Sequence, residues 1–87
     1  MFTAGYKFGP KHPDIHFVKV GHSNPGEDYA KNFSRELDQA VRYTTAQDAE
    51  RAAFEMTEAF RLDREEYHWC ALVADDNGEE VTLWEVA

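Results

Sequence analysis

Apolar and polar residues alternate at the start of this chain. Positions 2 to 8 place Phe, Ala, Tyr and Phe between Thr, Gly and Lys, and this period of two is typical of a strand with one buried face. Positions 9 to 14 contain one glycine and two prolines, which break the pattern, and positions 15 to 20 resume with β-branched and aromatic residues. These segments predict two neighbouring strands joined by a loose loop.

A second hairpin is predicted from residues 67 to 74 and 81 to 86. The residues between these two strands tolerate a positive φ angle in a tight turn: Asp75, Asp76, Asn77 and Gly78. Residues 67 to 74 are apolar on both faces, with Trp69 on one face and Leu72 on the other. A strand of this kind suits the centre of a sheet better than its edge.

One main helix is predicted over about residues 45 to 62. Thr44 or Thr45 can act as its N-cap, with Gln47 or Asp48 returning a hydrogen bond from the third helical position. The predicted core face consists of six residues at helical spacing, and its alanines allow close approach to a sheet: Ala49, Ala52, Ala53, Met56, Ala59 and Phe60.

Residues 25 to 41 fit two interpretations. In the first, aromatic and aliphatic residues recur at every fourth position from residue 29, and an Asn-Pro pair before residue 26 marks the start of a shorter helix. In the second, residues 31 to 34 are extended, the next six residues form a short helical turn, and Tyr43 anchors the chain before the main helix. The sequence leaves both interpretations open.

Together these elements predict an α+β fold. We expect an about four-stranded, largely antiparallel sheet, with the main helix (about 45–62) and any shorter helix (within 25–41) on one face. The chain has 87 residues, of which 43% are hydrophobic and 12 are aromatic. This length and composition predict a single domain over residues 1–87 with a genuine core.

Negative charge dominates the composition. The formal net charge is −8, and it is uneven, because residues 1–24 carry +2 and the remaining residues carry −10. Such a field repels phosphate groups, so direct binding to DNA or RNA is not expected. The charge has two explanations: ordinary solubility, or an acidic face that is offered to a basic partner.

The cysteine content and the apolar runs indicate the compartment. Cys70 is the only cysteine, so no intrachain disulfide can form, and a reducing compartment such as the cytoplasm is expected. The longest wholly apolar run, residues 69 to 74, is too short to cross a bilayer, and the N-terminus lacks a basic segment followed by an apolar one. We therefore expect neither a membrane segment nor an export signal.

No recurring catalytic or cofactor pattern is present in the sequence. His68 and Cys70 share a strand face, and further zinc ligands would have to come from His16, or from His12 and His22. This spacing is weak, because no paired Cys-x-x-Cys or helical histidine pair accompanies it. The serines stand on no glycine-rich elbow, and the paired carboxylates fall in turns or exposed ends. We expect no catalytic residue, no metal and no cofactor; a small metal-dependent enzyme is the third-ranked alternative.

Phe54 is the residue of the main helix that points away from the predicted core face. On a helical projection it lies more than about 90° from that face, among charged residues. An exposed aromatic ringed by charge is typical of an interface anchor. The predicted partner-binding residues are Phe54, Glu50, Glu55, Glu58 and Arg61. In the competing interpretation, Arg51 pairs with Asp48 and Glu55, and the segment that precedes the main helix covers Phe54.

The face of the sheet without helices is a second candidate surface. If helices cover only one side, then Trp69 or Trp84, with Tyr67 beside them, must pack on the open side or against another subunit. These three residues are the candidate oligomer face. A homodimer, or an assembly protein that oligomerises through its sheet, is the alternative function. Stacked aromatic side chains on a sheet can also bind single-stranded RNA. Such binding requires positively charged surroundings, however, and the nearby residues are glutamates.

A turn-then-helix block carries a family resemblance. The block consists of Phe33, Leu37, Ala40, Tyr43, Thr45, Asp48, Ala49 and Ala52. In this block the chain resembles small phage and bacterial accessory proteins. In its size, its acidity and its lack of a catalytic motif, it also resembles phage-encoded inhibitors of host defence, such as anti-CRISPR proteins. The resemblance implies blocking of a protein surface or mimicry of nucleic acid, and it assigns no residue.

The sequence thus predicts a non-enzymatic protein-binding module, most simply a phage-type inhibitor that acts in the host cytoplasm. Its expected partner is a basic host protein or nucleoprotein complex that handles nucleic acid. In this hypothesis Glu50, Glu55 and Glu58 stand in for phosphates, and Phe54 supplies the apolar anchor.

Overall fold

The computed structural model describes residues 1–21, 29–61 and 66–86. Within these ranges the chain forms five strands, two α-helices and one 3-10 turn. In chain order they are β1 (Phe2–Lys7), β2 (His16–Val18), α1 (Tyr29–Asn32), β3 (Phe33–Ser34), the 3-10 turn (Leu37–Gln39), α2 (Ala46–Arg61), β4 (Cys70–Asp75) and β5 (Glu80–Glu85).

The strands form one antiparallel sheet in the order β3-β2-β1-β4-β5. The predicted α+β class is confirmed, as are both hairpins and the central place of β4, which lies between β1 and β5. The sheet has five strands rather than four. The additional strand is β3, a pair of residues from the segment whose structure the sequence left open.

The second interpretation of residues 25 to 41 describes the structure better, but not at every position: Phe33 and Ser34 are extended and residues 37 to 39 form a short turn, whereas residues 31 and 32 belong to α1. Phe33 pairs with Val18, so the chain is extended where a continuous helix would have run. Its buried ring contacts the ring of Tyr6 at 4.8 Å and that of Phe60 at 4.9 Å between centroids. Core packing therefore overrides the four-residue repeat, and α1 is only four residues long. The predicted helix start at Asn24 and Pro25 lies outside the described residues.

Tyr43 anchors the chain before α2, as the second interpretation predicts. Its backbone exchanges two hydrogen bonds with Phe2: the Phe2 N–H donates to the Tyr43 carbonyl at 2.8 Å, and the Tyr43 N–H donates to the Phe2 carbonyl at 2.7 Å. Thr45 then caps the helix, because its Oγ1 accepts a hydrogen bond from the Asp48 N–H at 3.1 Å. Residue 62, the predicted end of this helix, lies outside the described ranges.

The buried face of α2 differs slightly from the predicted one. Ala49, Ala53 and Met56 are buried, as expected, but Ala52 and Ala59 are only half-buried. Thr57, which is not part of the predicted core face, is fully buried. Its hydroxyl has no hydrogen-bond partner among the described residues. The helix is therefore turned so that its Thr57 side faces the core.

The side chains of β4 divide the core into two layers. Ala71 and Val73 face α2, together with Trp69 just before the strand. Leu72 and Ala74 face the other way and pack in a second cluster, which contains Ile15, Leu37 and Leu83 among others. Cys70 is fully buried as well and pairs with Lys7 in the sheet register. The second face of the sheet is thus covered by a cluster that includes the ring of Phe17, whereas Trp69 and Trp84 lie on the α2 side.

The turn between β4 and β5 is fixed by Asp75. Its Oδ1 accepts hydrogen bonds from the N–H groups of Asn77 and Glu79, each at 2.9 Å, in the manner of an Asx turn. Gly78 supplies the positive φ angle, 81°, that closes the turn. A bulge at Val73 and Ala74 then shifts the pairing with β5.

Gly5 permits the close approach of β1 and β2. A Cβ atom at this position would overlap the carbonyl oxygen of His16 and lie 3.1 Å from the Cα of Phe17. Because both neighbours are backbone atoms of a paired strand, they cannot move aside without opening the hairpin.

We expect Gly5→Ala to lower the free energy of unfolding by at least about 2 kcal/mol, since the added methyl group forces the two strands apart. Urea denaturation followed by circular dichroism measures the change. Thr82→Ala, at an exposed position of β5, is the control and should cost less than about 1 kcal/mol. Equal stability of Gly5→Ala and the unchanged protein would contradict the steric argument.

Candidate functional site

Phe54 is exposed, as the helical projection predicts. Its side chain keeps 47% of its accessible surface and forms one wall of an open depression. The other lining residues are Gln47, Glu50, Arg51 and Trp84. The structure thus joins Phe54 and Glu50 of the predicted partner-binding set with Trp84 of the predicted oligomer face.

The depression lies between one stripe of α2 and one side chain of β5. Gln47, Glu50, Arg51 and Phe54 follow the spacing i, i+3, i+4, i+7, which places them on one line along the helix. Trp84 pairs with Ala71, whose side chain faces α2, so the indole projects toward the same side. The site therefore depends on the packing of α2 against the sheet.

Part of the predicted acidic ring is neutralised within the helix. The Arg61 guanidinium donates two hydrogen bonds to the Glu58 carboxylate, at 2.8 and 3.1 Å. This bidentate contact holds the pKa of Glu58 below its usual value. Glu58 is therefore not a free phosphate mimic, and Arg61 is engaged by it. Contact of these two residues with a partner stays a prediction, and it would be made by a pair whose charges already compensate each other.

Glu50 and Glu55 remain as exposed acidic groups on α2, and of the two only Glu50 lines the depression. Among the described residues, none forms an ion pair with Glu50, Glu55 or Arg51. The competing interpretation, in which Arg51 neutralises the surface by pairing with Asp48 and Glu55, is not what the structure shows. The rim of the depression carries both signs of charge, Glu50 and Arg51.

The predicted oligomer face does not exist as an open aromatic surface. Trp69 is only 3% exposed and packs in the α2-side core, with its ring 4.7 Å from Tyr6 and 4.9 Å from Phe8 between centroids. Tyr67 remains 43% exposed and contacts Phe8 at 4.8 Å. The prediction was wrong for Trp69, because its ring faces α2 rather than the other side of the sheet.

A hydrogen-bonded pair that the sequence did not reveal lies beside the rings of Tyr6 and Phe8. The Nδ1 atom of His16 and the hydroxyl of Tyr29 are hydrogen-bonded to each other. The His16 ring also stacks on Tyr6, 4.8 Å away and within 9° of parallel. The sequence predicted a strand over residues 15 to 20 next to the first strand, but not the register that pairs His16 with Tyr6. It did not predict the position of Tyr29 either, because the structure of that segment was left open.

Burial sets the protonation of this pair. Burial lowers the pKa of His16 below 6.5, and the positive charge of Arg35 lowers it further. These two effects outweigh the negative charge of Asp14, which raises the pKa. Burial also raises the pKa of the Tyr29 hydroxyl. Both groups are therefore held in their neutral forms, which suits a structural hydrogen bond in a partly exposed position.

The zinc set considered from the sequence is not assembled. His16 stacks on the α2 side of the sheet, whereas Cys70 lies on the opposite face, where burial raises the pKa of its thiol. His68 contacts the Glu85 carboxylate at 2.8 Å, and His22 lies outside the described residues. Across residues 1–21, 29–61 and 66–86, no three histidine, cysteine or acidic side chains come together as metal ligands would.

Neither described helix combines the length and the apolar character that a bilayer-spanning segment requires. Comparison of the chain with protein-family models, with curated proteins and with solved structures finds no match. The resemblance to phage-encoded inhibitors stays a prediction. The geometry of α2 and β5 carries the functional argument.

We expect Trp84→Ala to lower the free energy of unfolding by about 2 kcal/mol, because the indole is half-buried against the monomer core. The loss should be the same at low and high protein concentration in urea denaturation. Val81→Ala, at an exposed neighbouring position, is the matched control. A loss that depends on protein concentration would instead assign Trp84 to a subunit interface.

We also expect His16 to make stability depend on pH. Because its pKa is lower in the folded state, its contribution is present above pH 6.5 and is lost as the pH falls through the folded pKa. His16→Gln should reduce the fall in unfolding free energy between about pH 7.5 and about pH 5. An NMR titration of the unchanged protein in which His16 has a midpoint at or above 6.5 would contradict this.

Proposed function

We propose that this chain is a non-enzymatic protein-binding module that docks through the exposed side of α2. The observation that supports it is the placement of Phe54, a large apolar ring that is half-exposed beside Trp84 in an open depression. Aromatic side chains of this kind supply most of the affinity in many protein interfaces. The polar groups Gln47, Glu50 and Arg51 around it provide the rim that orients a partner.

The charge of the chain favours a basic partner. The formal net charge is −8, and the exposed carboxylates of Glu50 and Glu55 make no ion pair with a described residue. Acidic groups in such positions steer an encounter with a positively charged surface and add orientation to it. Phosphate mimicry in this proposal rests on Glu50 and Glu55 and no longer on Glu58.

The finer part of the proposal is a phage-type inhibitor of a host protein or nucleoprotein complex that handles nucleic acid. The module would occupy a basic groove in the host cytoplasm and exclude nucleic acid from it by steric and electrostatic occlusion. Net negative charge, together with an apolar anchor at the centre of a mixed rim, supports occlusion of a protein rather than direct contact with nucleic acid.

The test is capture of partners by the tagged protein from its native cell, followed by mass spectrometry. The variant Phe54→Ala, Glu50→Lys, Glu55→Lys should reduce the recovered partner at least about tenfold, as removal of an interface anchor does. Its stability should fall by no more than about 1 kcal/mol, because all three side chains are exposed.

The control variant makes the same chemical changes elsewhere. Tyr67→Ala removes a ring of similar exposure, and Glu36→Lys with Asp38→Lys reverses two exposed charges at the 3-10 turn. This variant should keep full capture. Equal recovery of the partner by both variants would remove α2 as the docking surface, and no partner enriched over an untagged control would contradict a binding module altogether.

A further inference from the structure

We infer that the free edge of β5 accepts an extended, basic segment of the partner protein as an additional antiparallel or parallel strand, with one of its side chains in the depression between Phe54 and Trp84. This inference deepens the proposed function and rests on it. It adds the form and the chemistry of the partner segment to the docking surface on α2.

β5 is the longer free edge of the sheet. It is six residues long, and among the described residues its only neighbour in the sheet is β4. The opposite edge is β3, which has only two residues. An exposed edge presents unpaired N–H and C=O groups that can bind a further strand.

The register shows which groups of β5 point outward. The Val86 N–H donates to the Trp69 carbonyl at 3.1 Å, so this pair is hydrogen-bonded. In an antiparallel ladder the bonded pairs alternate with non-bonded ones. The backbone groups of Trp84 and Thr82 therefore face β4, whereas those of Leu83 and Glu85 point away from the sheet. Two residues of the edge thus have their donors and acceptors directed at an incoming strand.

The depression lies beside this edge. Trp84 supplies both an edge residue and a wall of the depression, and Phe54 forms the wall above it. An added strand would lie about 4.8 Å from β5, and every second side chain would project to the α2 side. One such side chain would meet the indole of Trp84 and the ring of Phe54, which gives the backbone contact a site for specificity.

Charge selects a basic segment over a second copy of this chain. Residues 66–86 contain no lysine or arginine, and Glu79, Glu80 and Glu85 lie in or next to β5. Lys7 engages Glu80 and His68 engages Glu85, and at the depression the carboxylate of Glu50 is accompanied by the guanidinium of Arg51. Pairing of two β5 edges would bring identical acidic groups together, which disfavours self-association. A strand rich in lysine or arginine has the opposite, favourable pairing.

The probes are synthetic ten-residue peptides in which lysine alternates with one apolar residue: valine, isoleucine, leucine, phenylalanine, tyrosine or tryptophan. Amide hydrogen exchange of the full chain is followed by NMR with and without each peptide. We expect at least one peptide to slow exchange at Leu83 and Glu85 at least about tenfold. Exchange at Thr82 and Trp84, whose amides already bond to β4, should change much less.

Two peptide controls separate strand pairing from simple charge attraction. The same peptide with two central prolines keeps the lysines but loses backbone donors, and it should give no protection. The peptide with glutamate in place of lysine should also give none. Protection by no peptide of the set, or equal protection by the proline-containing control, would overturn the inference.

A matched pair of variants tests the same edge from the side of the protein. Glu85→Pro removes an outward N–H without touching the ladder to β4, whereas Glu85→Ala removes the same carboxylate and keeps the N–H. Peptide affinity should be at least about fivefold weaker for Glu85→Pro than for Glu85→Ala. If Glu85→Pro does not fold, the exchange pattern of the unchanged protein decides the question.

Failure of this inference is distinguishable from failure of the proposed function. Partner capture that depends on Phe54, with Leu83 and Glu85 left unprotected by the bound peptides, would overturn strand addition and retain docking on α2. Peptide protection at β5 combined with capture that ignores Phe54 would overturn α2 as the docking surface.

Discussion

β4 lies between β1 and β5, and the burial of its side chains on both faces is the constraint on which the other elements depend. Ala71 and Val73 give α2 a flat surface to pack on, while Leu72 and Ala74 hold the second layer beneath Leu37 and its neighbours. Small residues on both α2 and β4 let the helix approach the sheet closely. The same packing fixes α2 relative to β5, and so it determines which side chains border the depression.

Local patterns predicted the parts of the fold that local interactions determine. The alternation at positions 2 to 8 and the turn residues from Asp75 onward predicted the two hairpins. The helical repeat of small apolar residues predicted α2. The segment around Phe33 could not be predicted in the same way, because its extended form depends on pairing with Val18 and on ring contacts far away in sequence. The burial of Thr57 also depends on how α2 is turned against the sheet, which no single-helix projection contains.

The candidate site shows the same division. Exposure of Phe54 follows from its angle on the helix, and the pairing of Glu58 with Arg61 follows from a three-residue spacing that the sequence displayed. Phe54 and Trp84 lie 30 positions apart in the sequence, and they border the same depression only because of the register of β5. The sequence does not contain this register. A surface first interpreted as two separate faces is therefore one, and its chemistry combines an apolar centre, a mixed rim and a neighbouring free strand edge.

The complete burial of Cys70 has a practical consequence. A thiol held beneath Lys7 in the interior of the sheet, with a raised pKa, presents almost no thiolate to solvent while the strands remain paired. Alkylating reagents can reach its sulfur atom only when the structure around it opens. Since Cys70 is the only cysteine of the chain, the rate of its covalent labelling reports that opening at one site, without an engineered probe.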